Sequence, residues 1–266
     1  MSKIKKIKIF VNDNEKSKKI YKKLVDRLLK KGFLLDDNSF DLAIAVGGDG
    51  CFLRMVKECN FNSEIYYVGI HTGNLGFSQE IDCKEIDSFI DNLNKDSLNF
   101  EEISIGEVEL FSGKNTFHYC FLNEIVLREK ELNTMKLDCY VDDSLLEKYV
   151  GDGILVATSF GSTAYNLSFG GSIVPHNLHT LQITPIAPLS NKSYRSLMNS
   201  LVIPSNKNIS FFLIQESKNL LLSIDGDNYF YNDIEKINVF IHNKTIKVIR
   251  KKDYNFIKKI NDKFLK

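Results

Sequence analysis

The chain has 266 residues, of which 43% are hydrophobic and 26% are charged, and its formal net charge is +1. This length permits one large domain or two modest ones, and the apolar fraction suffices for a buried core. Binders of nucleic acid or of membrane surfaces usually carry a basic excess, so the balanced charge argues against both kinds of partner.

The cysteine spacing and the lack of long apolar runs indicate the cellular compartment of the protein. The five cysteines are odd in number, widely spaced and without a C-x-x-C pair. This pattern argues against a disulfide framework and against a zinc site, so we expect a cytoplasmic protein. No segment resembles a signal peptide or reaches the length of a membrane span.

Strand and helix patterns alternate over residues 1–99. Leu24 and Leu28 lie one helical turn apart on the apolar face of a predicted helix, and a short apolar run precedes and follows this helix. Asp82, with Glu85 three residues later, resembles a capping box in front of another helical stripe. Such alternation predicts an α/β domain with a parallel sheet.

From residue 100 to 243 the pattern becomes rich in strands, and we predict a second, mostly antiparallel β domain. All four prolines lie between Pro175 and Pro204, which predicts a loop-rich segment there. The tail 244–266 is expected to pack back on the first domain. Apolar residues at helical spacing predict a closing helix in this tail: Phe256, Ile260 and Phe264.

The most informative stretch is the run Leu42–Val46, followed by Gly47, Gly48, Asp49 and Gly50. Five small or β-branched apolar residues without polar alternation predict a fully buried strand. The glycines allow a sharp turn whose N–H groups can face phosphate oxygens. Asp49 then lies at the carboxyl end of the strand, where open α/β sheets usually carry their active sites. We infer that Asp49 interacts with a substrate hydroxyl next to a phosphate. The alternative is a tight turn with a solvated Asp.

A second buried strand leads into a turn rich in glycine and hydroxyl groups. Ser162 and Thr163 can cap a helix whose free N–H groups suit a nucleotide, and Tyr165 can stack on a base. A plain N-cap with a core tyrosine explains the same residues.

Asn123 and Glu124 interrupt an apolar run. An amide can pair with an adenine edge and a carboxylate can accept from ribose hydroxyls, whereas a bulge or short loop is the structural alternative. His71 begins another backbone-rich turn, and taken alone it is better explained as a structural histidine.

Taken in order, these stretches resemble the NAD kinase family over about residues 40 to 230. The matching pieces are G-G-D-G, H-T-G-N-L-G-F, L-N-E, T-x-x-G-S-T-A-Y-N, S-F-G-G and S-I-D-G. The resemblance implies a Rossmann-like N-terminal domain with a β-rich C-terminal domain. It also implies transfer of a phosphoryl group from ATP or polyphosphate to the adenosine 2′-hydroxyl of NAD, with Mg²⁺ carried by the donor.

The same resemblance assigns roles to individual residues. Asp49 would be the base that orients and deprotonates the hydroxyl, and no protein residue would ligate the metal. A homotetramer is also implied. The residues that it places in contact with substrate are Gly47, Gly48, Gly50, His71, Asn74, Phe77, Asn123, Glu124, Asp152, Ser162, Thr163, Ala164, Tyr165, Ala187 and Asp225.

Four positions depart from the family pattern. Cys51 replaces a usual Thr, and Val150 stands where many relatives carry Arg. Ser159 and Phe160 stand where Pro and a small hydroxyl residue are usual. Two other functions stay open on the sequence alone: a lipid kinase that shares the G-G-D-G turn, and a non-catalytic NAD(P)-binding sensor.

Overall fold

The computed structural model describes residues 4–73, 76–93, 98–131, 133–214 and 219–266. Its α-helices are α1 (Glu15–Lys30), α2 (Asp49–Glu58), α3 (Ile86–Leu93), α4 (Tyr165–Ser168) and α5 (Phe256–Phe264). Its first strands are β1 (Lys6–Val11), β2 (Leu34–Leu35), β3 (Leu42–Gly47), β4 (Tyr66–His71), β5 (Ile81–Asp82), β6 (Phe100–Ser112), β7 (Asn115–Phe121), β8 (Glu124–Glu129) and β9 (Met135–Val141). The later strands are β10 (Ser144–Gly151), β11 (Gly153–Thr158), β12 (Thr180–Ile186), β13 (Leu201–Pro204), β14 (Ile209–Leu213), β15 (Leu220–Ile224), β16 (Asp227–Tyr231) and β17 (Lys236–Ile249). None of the helices in these ranges is long and apolar enough to cross a membrane.

The chain forms two compact units. Unit 1 comprises residues 1–103 and 245–266, and unit 2 comprises residues 104–244. The strands β6 and β17 each contribute residues to both units.

Unit 1 contains a parallel sheet in which β1 lies between β2 and β3, and β3 pairs with β4. The end of β17 adds to β4 in parallel, through the pair Lys247 and Tyr66. Every residue of β3 is buried, as expected for a central strand covered on both faces. Because β3 and β4 pair with Gly47 opposite His71, the carboxyl ends of both strands lie side by side.

The helices of unit 1 begin and end where the sequence indicates. The Asn14 side chain caps α1 by accepting from the Ser17 N–H at 2.9 Å, and Gly32 follows the helix with a φ of +85°. Asp82 and Glu85 form a complete capping box before α3. The predicted stripe of α3 is buried in the unit 1 core: Ile86, Phe89, Ile90 and Leu93.

Unit 2 is built from antiparallel strands. One sheet has the strand order β13-β12-β11-β8-β15-β16, and a second set pairs in the order β10-β9-β14-β17. Side chains of both sets share one core, which includes Ile125, Ile154, Leu137 and Phe211. The predicted combination of an α/β unit and a β-rich unit is confirmed.

Strands within the proline-containing segment were not predicted from the sequence. The segment between Pro175 and Pro204 is irregular over residues 187–200, as predicted, but it also holds β12, in the interior of the six-stranded sheet, and β13 at its edge. Pro185 is tolerated there because it is the penultimate residue of β12, so its missing N–H interrupts the hydrogen-bond ladder only near the end of the strand. In α5, which the apolar pattern predicts correctly, Lys259 rather than an apolar residue is buried.

Candidate active site

The glycine turn of unit 1 joins β3 directly to α2. Gly48 is the N-cap of α2, and Asp49 is its first residue. Gly48 and Gly50 are exposed, and a Cβ added at either would meet no atom within 4 Å. The first N–H groups of a ten-residue helix therefore lie beside open space, which is an arrangement that suits a phosphate.

The Asp49 carboxylate is fixed by two backbone amides. Its Oδ2 accepts from the Phe77 N–H at 3.1 Å, and its Oδ1 accepts from the Ser78 N–H at 2.9 Å. Gly76 makes this close approach possible, because a Cβ at this residue would overlap the carboxylate. Each oxygen retains a lone pair for a further partner, so the acid is oriented and still able to accept a proton.

Gln79, the residue after Ser78, supports the glycine turn. Gln79 is fully buried, and its Nε2 donates to the Gly48 carbonyl O at 2.6 Å. The backbone of Gly69 on β4 lies against Gln79 with no room for a Cβ. Three successive residues, Phe77 to Gln79, thus hold the turn in place.

His71 and Phe77 contact other parts of unit 1 through their side chains. The His71 Nε2 lies 3.6 Å from Asp82 Oδ2, and its Nδ1 lies 3.3 Å from the Gly73 carbonyl O. The Phe77 ring packs 5.2 Å from the Phe264 ring. The predicted contact residue Asn74 lies outside the described residues.

In unit 2, Asn123 lies between β7 and β8, Glu124 is the first residue of β8, and Asp225 holds the backbone of both residues. The Asp225 carboxylate accepts from the backbone N–H groups of Leu122, Asn123 and Glu124 at 2.7, 2.7 and 3.1 Å. Asp225 has a φ of +48° in the two-residue turn between β15 and β16. Its carboxylate therefore fixes the backbone of the Asn123-Glu124 corner.

Glu124 is a buried acid that is only partly satisfied. Burial is the main cause that raises the pKa of its carboxyl, the charge of Asp225 also raises it, and a hydrogen bond from the Tyr165 backbone lowers it; the resulting pKa is about 8. Its Oε2 has no hydrogen-bond partner among the described residues. Buried polar atoms are nearly always paired, so this oxygen marks a place for a ligand or a water molecule.

The turn after β11 packs against the same corner. The Thr158 hydroxyl donates to the Leu122 carbonyl O at 2.6 Å, and the Thr158 N–H donates to the Asn123 carbonyl O at 2.9 Å. Gly161 touches the Asn123 backbone so closely that a Cβ there would overlap it. This contact explains why a glycine is needed in the turn.

The four predicted contact residues of this turn differ in exposure. The Ser162 hydroxyl is buried and donates to the Val174 carbonyl O at 3.0 Å, so its role is to brace the turn. Thr163 and Ala164 are half-buried, whereas Tyr165 is 46% exposed with its ring edge-on to Phe169. The Tyr165 ring is thus available for stacking.

Asp152 and Ala187 are both exposed and lie at one end of the β11–β12 pair. The Asp152 N–H donates to the carbonyl O of Ile186, the residue before Ala187, at 3.0 Å. Ala187 has a φ of +45°, an uncommon conformation for a residue with a Cβ.

Comparison with known proteins decides the family. The model of the ATP-NAD kinase N-terminal domain matches residues 5–98, and that of the ATP-NAD kinase C-terminal domain matches residues 122–250. The chain belongs to the NAD kinase family. An NAD kinase of Finegoldia magna is 40% identical over 97% of both chains. An NAD kinase of Streptococcus gordonii is 32% identical over 98% of this chain and 96% of the relative.

Solved structures show the same fold. Yeast NADH kinase complexed with NADH superposes with a TM-score of 0.85 at 22% identity, over 97% of this chain and 86% of that one. An NAD kinase from Archaeoglobus fulgidus in complex with ATP has a TM-score of 0.77 at 19% identity, over 97% of this chain and 99% of that one. The family models and the full-length relatives of 40% and 32% identity favour the NAD kinase family over the lipid kinases that share the glycine turn.

The four residues that depart from the NAD kinase pattern are buried in the protein interior. The Cys51 Sγ is buried 3.7 Å from the carbonyl oxygens of Phe10 and Val46. Val150 is buried, and its backbone N–H donates to Ser196 Oγ at 2.9 Å.

The other two departures lie side by side against one histidine. Ser159 donates to the His176 carbonyl O at 3.1 Å, and the Phe160 ring lies 4.9 Å from the His176 ring. Phe160 is 3% exposed. These contacts place the bulky ring in the core of unit 2, so it does not cover the exposed face of Tyr165.

Among the described residues, Glu107, Glu109 and His118 on the β6–β7 hairpin offer ligand atoms within 4.8 Å of one another and form a group that could hold a metal ion. This group contains none of the predicted site residues. In the described part of the chain, no such group of three includes Asp49.

Several residues that support this NAD kinase site were not predicted. Ser78 and Gln79 follow the H-T-G-N-L-G-F piece directly, and Thr158 begins T-x-x-G-S-T-A-Y-N. Because these residues directly follow or begin sequence motifs that match the family, their position next to those motifs is the signal by which they could have been predicted. No local signal marks Lys259, which lies 180 residues from its partner Gln79.

Proposed function

We propose that this chain transfers the γ-phosphoryl group of ATP to the 2′-hydroxyl of the adenosine ribose of NAD, giving NADP and ADP. The observation that carries the proposal is the Asp49 carboxylate, which two backbone amides orient beside an exposed glycine turn. The family to which the chain belongs supports the same reaction.

In this reaction Asp49 accepts the proton of the 2′-hydroxyl while the ribose oxygen forms a bond to the γ-phosphorus. The bond between the γ-phosphorus and the oxygen of the leaving ADP breaks in the same step. Phosphoryl transfer needs positioning and charge neutralisation more than covalent help, so one oriented acid with backbone N–H groups suits it.

Unit 2 supplies the residues for adenosine recognition. Asn123 offers an amide for the adenine edge, and the unpartnered Oε2 of Glu124 is available to a ribose hydroxyl. Tyr165 offers an exposed ring to the base. Asp152 and Ala187 are assigned to the nicotinamide-side nucleoside by family resemblance.

Mg²⁺ is proposed as the divalent metal, entering with the phosphates of the donor. Asp49 is one carboxylate whose two oxygens already accept amide hydrogen bonds, which fits an ion held mainly by phosphates and water. When bound, Mg²⁺ neutralises charge on the phosphates.

We further propose a homotetramer in the cytoplasm. Exposed apolar side chains on the outer strands of the six-stranded sheet, Val202 on β13 and Phe230 on β16, offer surface for association. All five cysteines are free, which suits a reducing compartment. Analytical ultracentrifugation should give four times the chain mass, and a monomer would contradict this assembly.

The activity is tested by incubating the purified chain with NAD and Mg²⁺, using ATP in one arm and inorganic polyphosphate in another. We expect NADP with ATP, and NADP in the second arm if polyphosphate also serves as donor. A third arm offers diacylglycerol in micelles with ATP. Lipid phosphorylation without NADP would contradict the proposal.

A further inference from the structure

Helix α5 buries a cation. Lys259 is the buried residue of this helix and is only 7% exposed. Lysines are seldom buried unless their ammonium is paired. The Lys259 Nζ donates to the Gln79 carbonyl O at 2.7 Å and to Glu80 Oε2 at 3.2 Å. The ammonium therefore ties α5 to the segment of residues 77–80.

This segment is the one that holds the glycine turn. Its first two N–H groups donate to the Asp49 carboxylate, and the Gln79 side chain donates to the Gly48 carbonyl O. A shift of the segment would move all three donors together. The orientation of Asp49 therefore depends on whatever fixes residues 77–80.

A second contact from α5 reaches the same segment. The Phe264 ring lies 5.2 Å from the Phe77 ring, with the planes tilted by 35°. Lys259 and Phe264 are five residues apart, so α5 contacts the segment at two points along its length. Of these two α5 residues, only Lys259 carries a charge.

Charged and titratable groups from several parts of unit 1 face the Lys259 ammonium. Burial is the main cause that lowers its pKa, the charge of Glu80 raises it, that of Arg250 lowers it and that of Asp49 raises it; the resulting pKa is about 8. The Nζ also lies 5.6 Å from the centre of the Tyr254 ring. Lys259 thus interacts electrostatically with Asp49 as well as through the segment between them.

We propose that Lys259 is a positioning residue for phosphoryl transfer, whose ammonium fixes the segment of residues 77–80 so that its amides orient the Asp49 carboxylate toward the substrate hydroxyl. This role rests on the proposed function, in which Asp49 is the base. It assigns the C-terminal helix a part in the chemical step rather than in stability alone.

The role predicts a dependence on pH. Lys259 is charged below about pH 8 and neutral above it. Loss of the charge weakens its bonds to Gln79 and Glu80, so kcat should fall as the pH rises through this value. Arginine keeps its charge throughout this range. Lys259→Arg should therefore shift the alkaline limb of kcat to higher pH.

The experiment measures kcat and KM for NAD from pH 6 to pH 10 in the wild type, Lys259→Arg and Lys259→Met. Lys258→Met, which changes an exposed neighbour on α5, is the matched control. For Lys259→Met we expect kcat to fall by about 10- to 100-fold with KM for NAD nearly unchanged, because a small misplacement of a reacting group costs this much. Lys258→Met should resemble the wild type.

Two results would overturn this role: equal kcat in Lys259→Met and Lys258→Met, or an unshifted alkaline limb in Lys259→Arg. If Lys259→Met fails to fold in a thermal unfolding assay, the Lys259→Arg profile decides alone. Failure of the proposed function looks different, because the wild type would then make no NADP or Asp49→Asn would retain full kcat.

Discussion

The Asp225 carboxylate accepts a hydrogen bond from the Glu124 backbone N–H at 3.1 Å, although the two residues are 101 positions apart. The same carboxylate accepts from Leu122 and Asn123. One acid in a β-turn thus fixes the corner that presents Asn123 and Glu124. The adenosine contacts proposed for unit 2 depend on this arrangement.

Replacing Asp225 should therefore damage both stability and substrate binding. In Asp225→Ala three N–H groups lose a charged acceptor, and we expect the free energy of unfolding to fall by about 2–3 kcal/mol. KM for NAD should rise because the corner moves. Urea unfolding and steady-state kinetics test this, with Asp143→Asn in an exposed turn of the same unit as the control. An unchanged KM in a destabilised Asp225→Ala protein would contradict the link to binding.

Glu124 should make stability depend on pH. Its folded-state pKa is raised from 4.5 to about 8, so between these values the folded state holds a proton that the unfolded state releases. Stability must then fall as the pH rises, by up to about 1.4 kcal/mol per pH unit for one group. Glu124→Gln removes this contribution, and its free energy of unfolding should decline less between pH 5 and pH 8. Parallel curves for the two proteins would disprove the shift.

Close packing at Gly161 should be required for NAD binding. A Cβ there would overlap the Asn123 carbonyl, so Gly161→Ala must displace the turn or the corner. We expect a lower melting temperature and a KM for NAD raised by roughly tenfold, which corresponds to about 1.4 kcal/mol. Gly73→Ala is the control, because a Cβ at Gly73 meets nothing within 4 Å. Equal melting temperatures for both variants would contradict the overlap.

Cys51 should be replaceable without loss of turnover. Its Sγ faces the carbonyl oxygens of Phe10 and Val46, and a threonine hydroxyl could donate to the same atoms. We expect kcat of Cys51→Thr to stay within about twofold of the wild type, a change of under about 0.5 kcal/mol in activation free energy. A large gain in kcat would mean that the hydroxyl supports phosphate binding and that Cys51 weakens it.

The sequence predicts the fold well where the signal is local. The apolar run Leu42–Val46 predicts β3, and the Asp82–Glu85 pair predicts the start of α3, because both depend on neighbouring residues. The strand β12 was missed because the prolines of its segment outweighed its own β-branched residues, Ile183, Thr184 and Ile186, in the sequence interpretation.

Candidate site residues can be named from the sequence, but the contacts that hold them cannot. Asp49 stands out beside its glycines, yet its amide donors lie 28 and 29 residues away. The buried Lys259 violates the apolar pattern from which α5 was predicted. Such contacts are fixed by tertiary packing between distant segments, and no spacing rule within one segment encodes them.

The most direct test of the account compares the wild type with Asp49→Asn in NADP formation from NAD and ATP with Mg²⁺. The asparagine keeps the size of the side chain but cannot serve as the base. We expect kcat to fall by at least ~10²-fold, the low end for a positioned base, while NAD binding measured by calorimetry and the melting temperature change little. Asp37→Asn, in an exposed loop of unit 1, should behave as the wild type. Turnover by Asp49→Asn within about threefold of the wild type would contradict the assignment of the catalytic base.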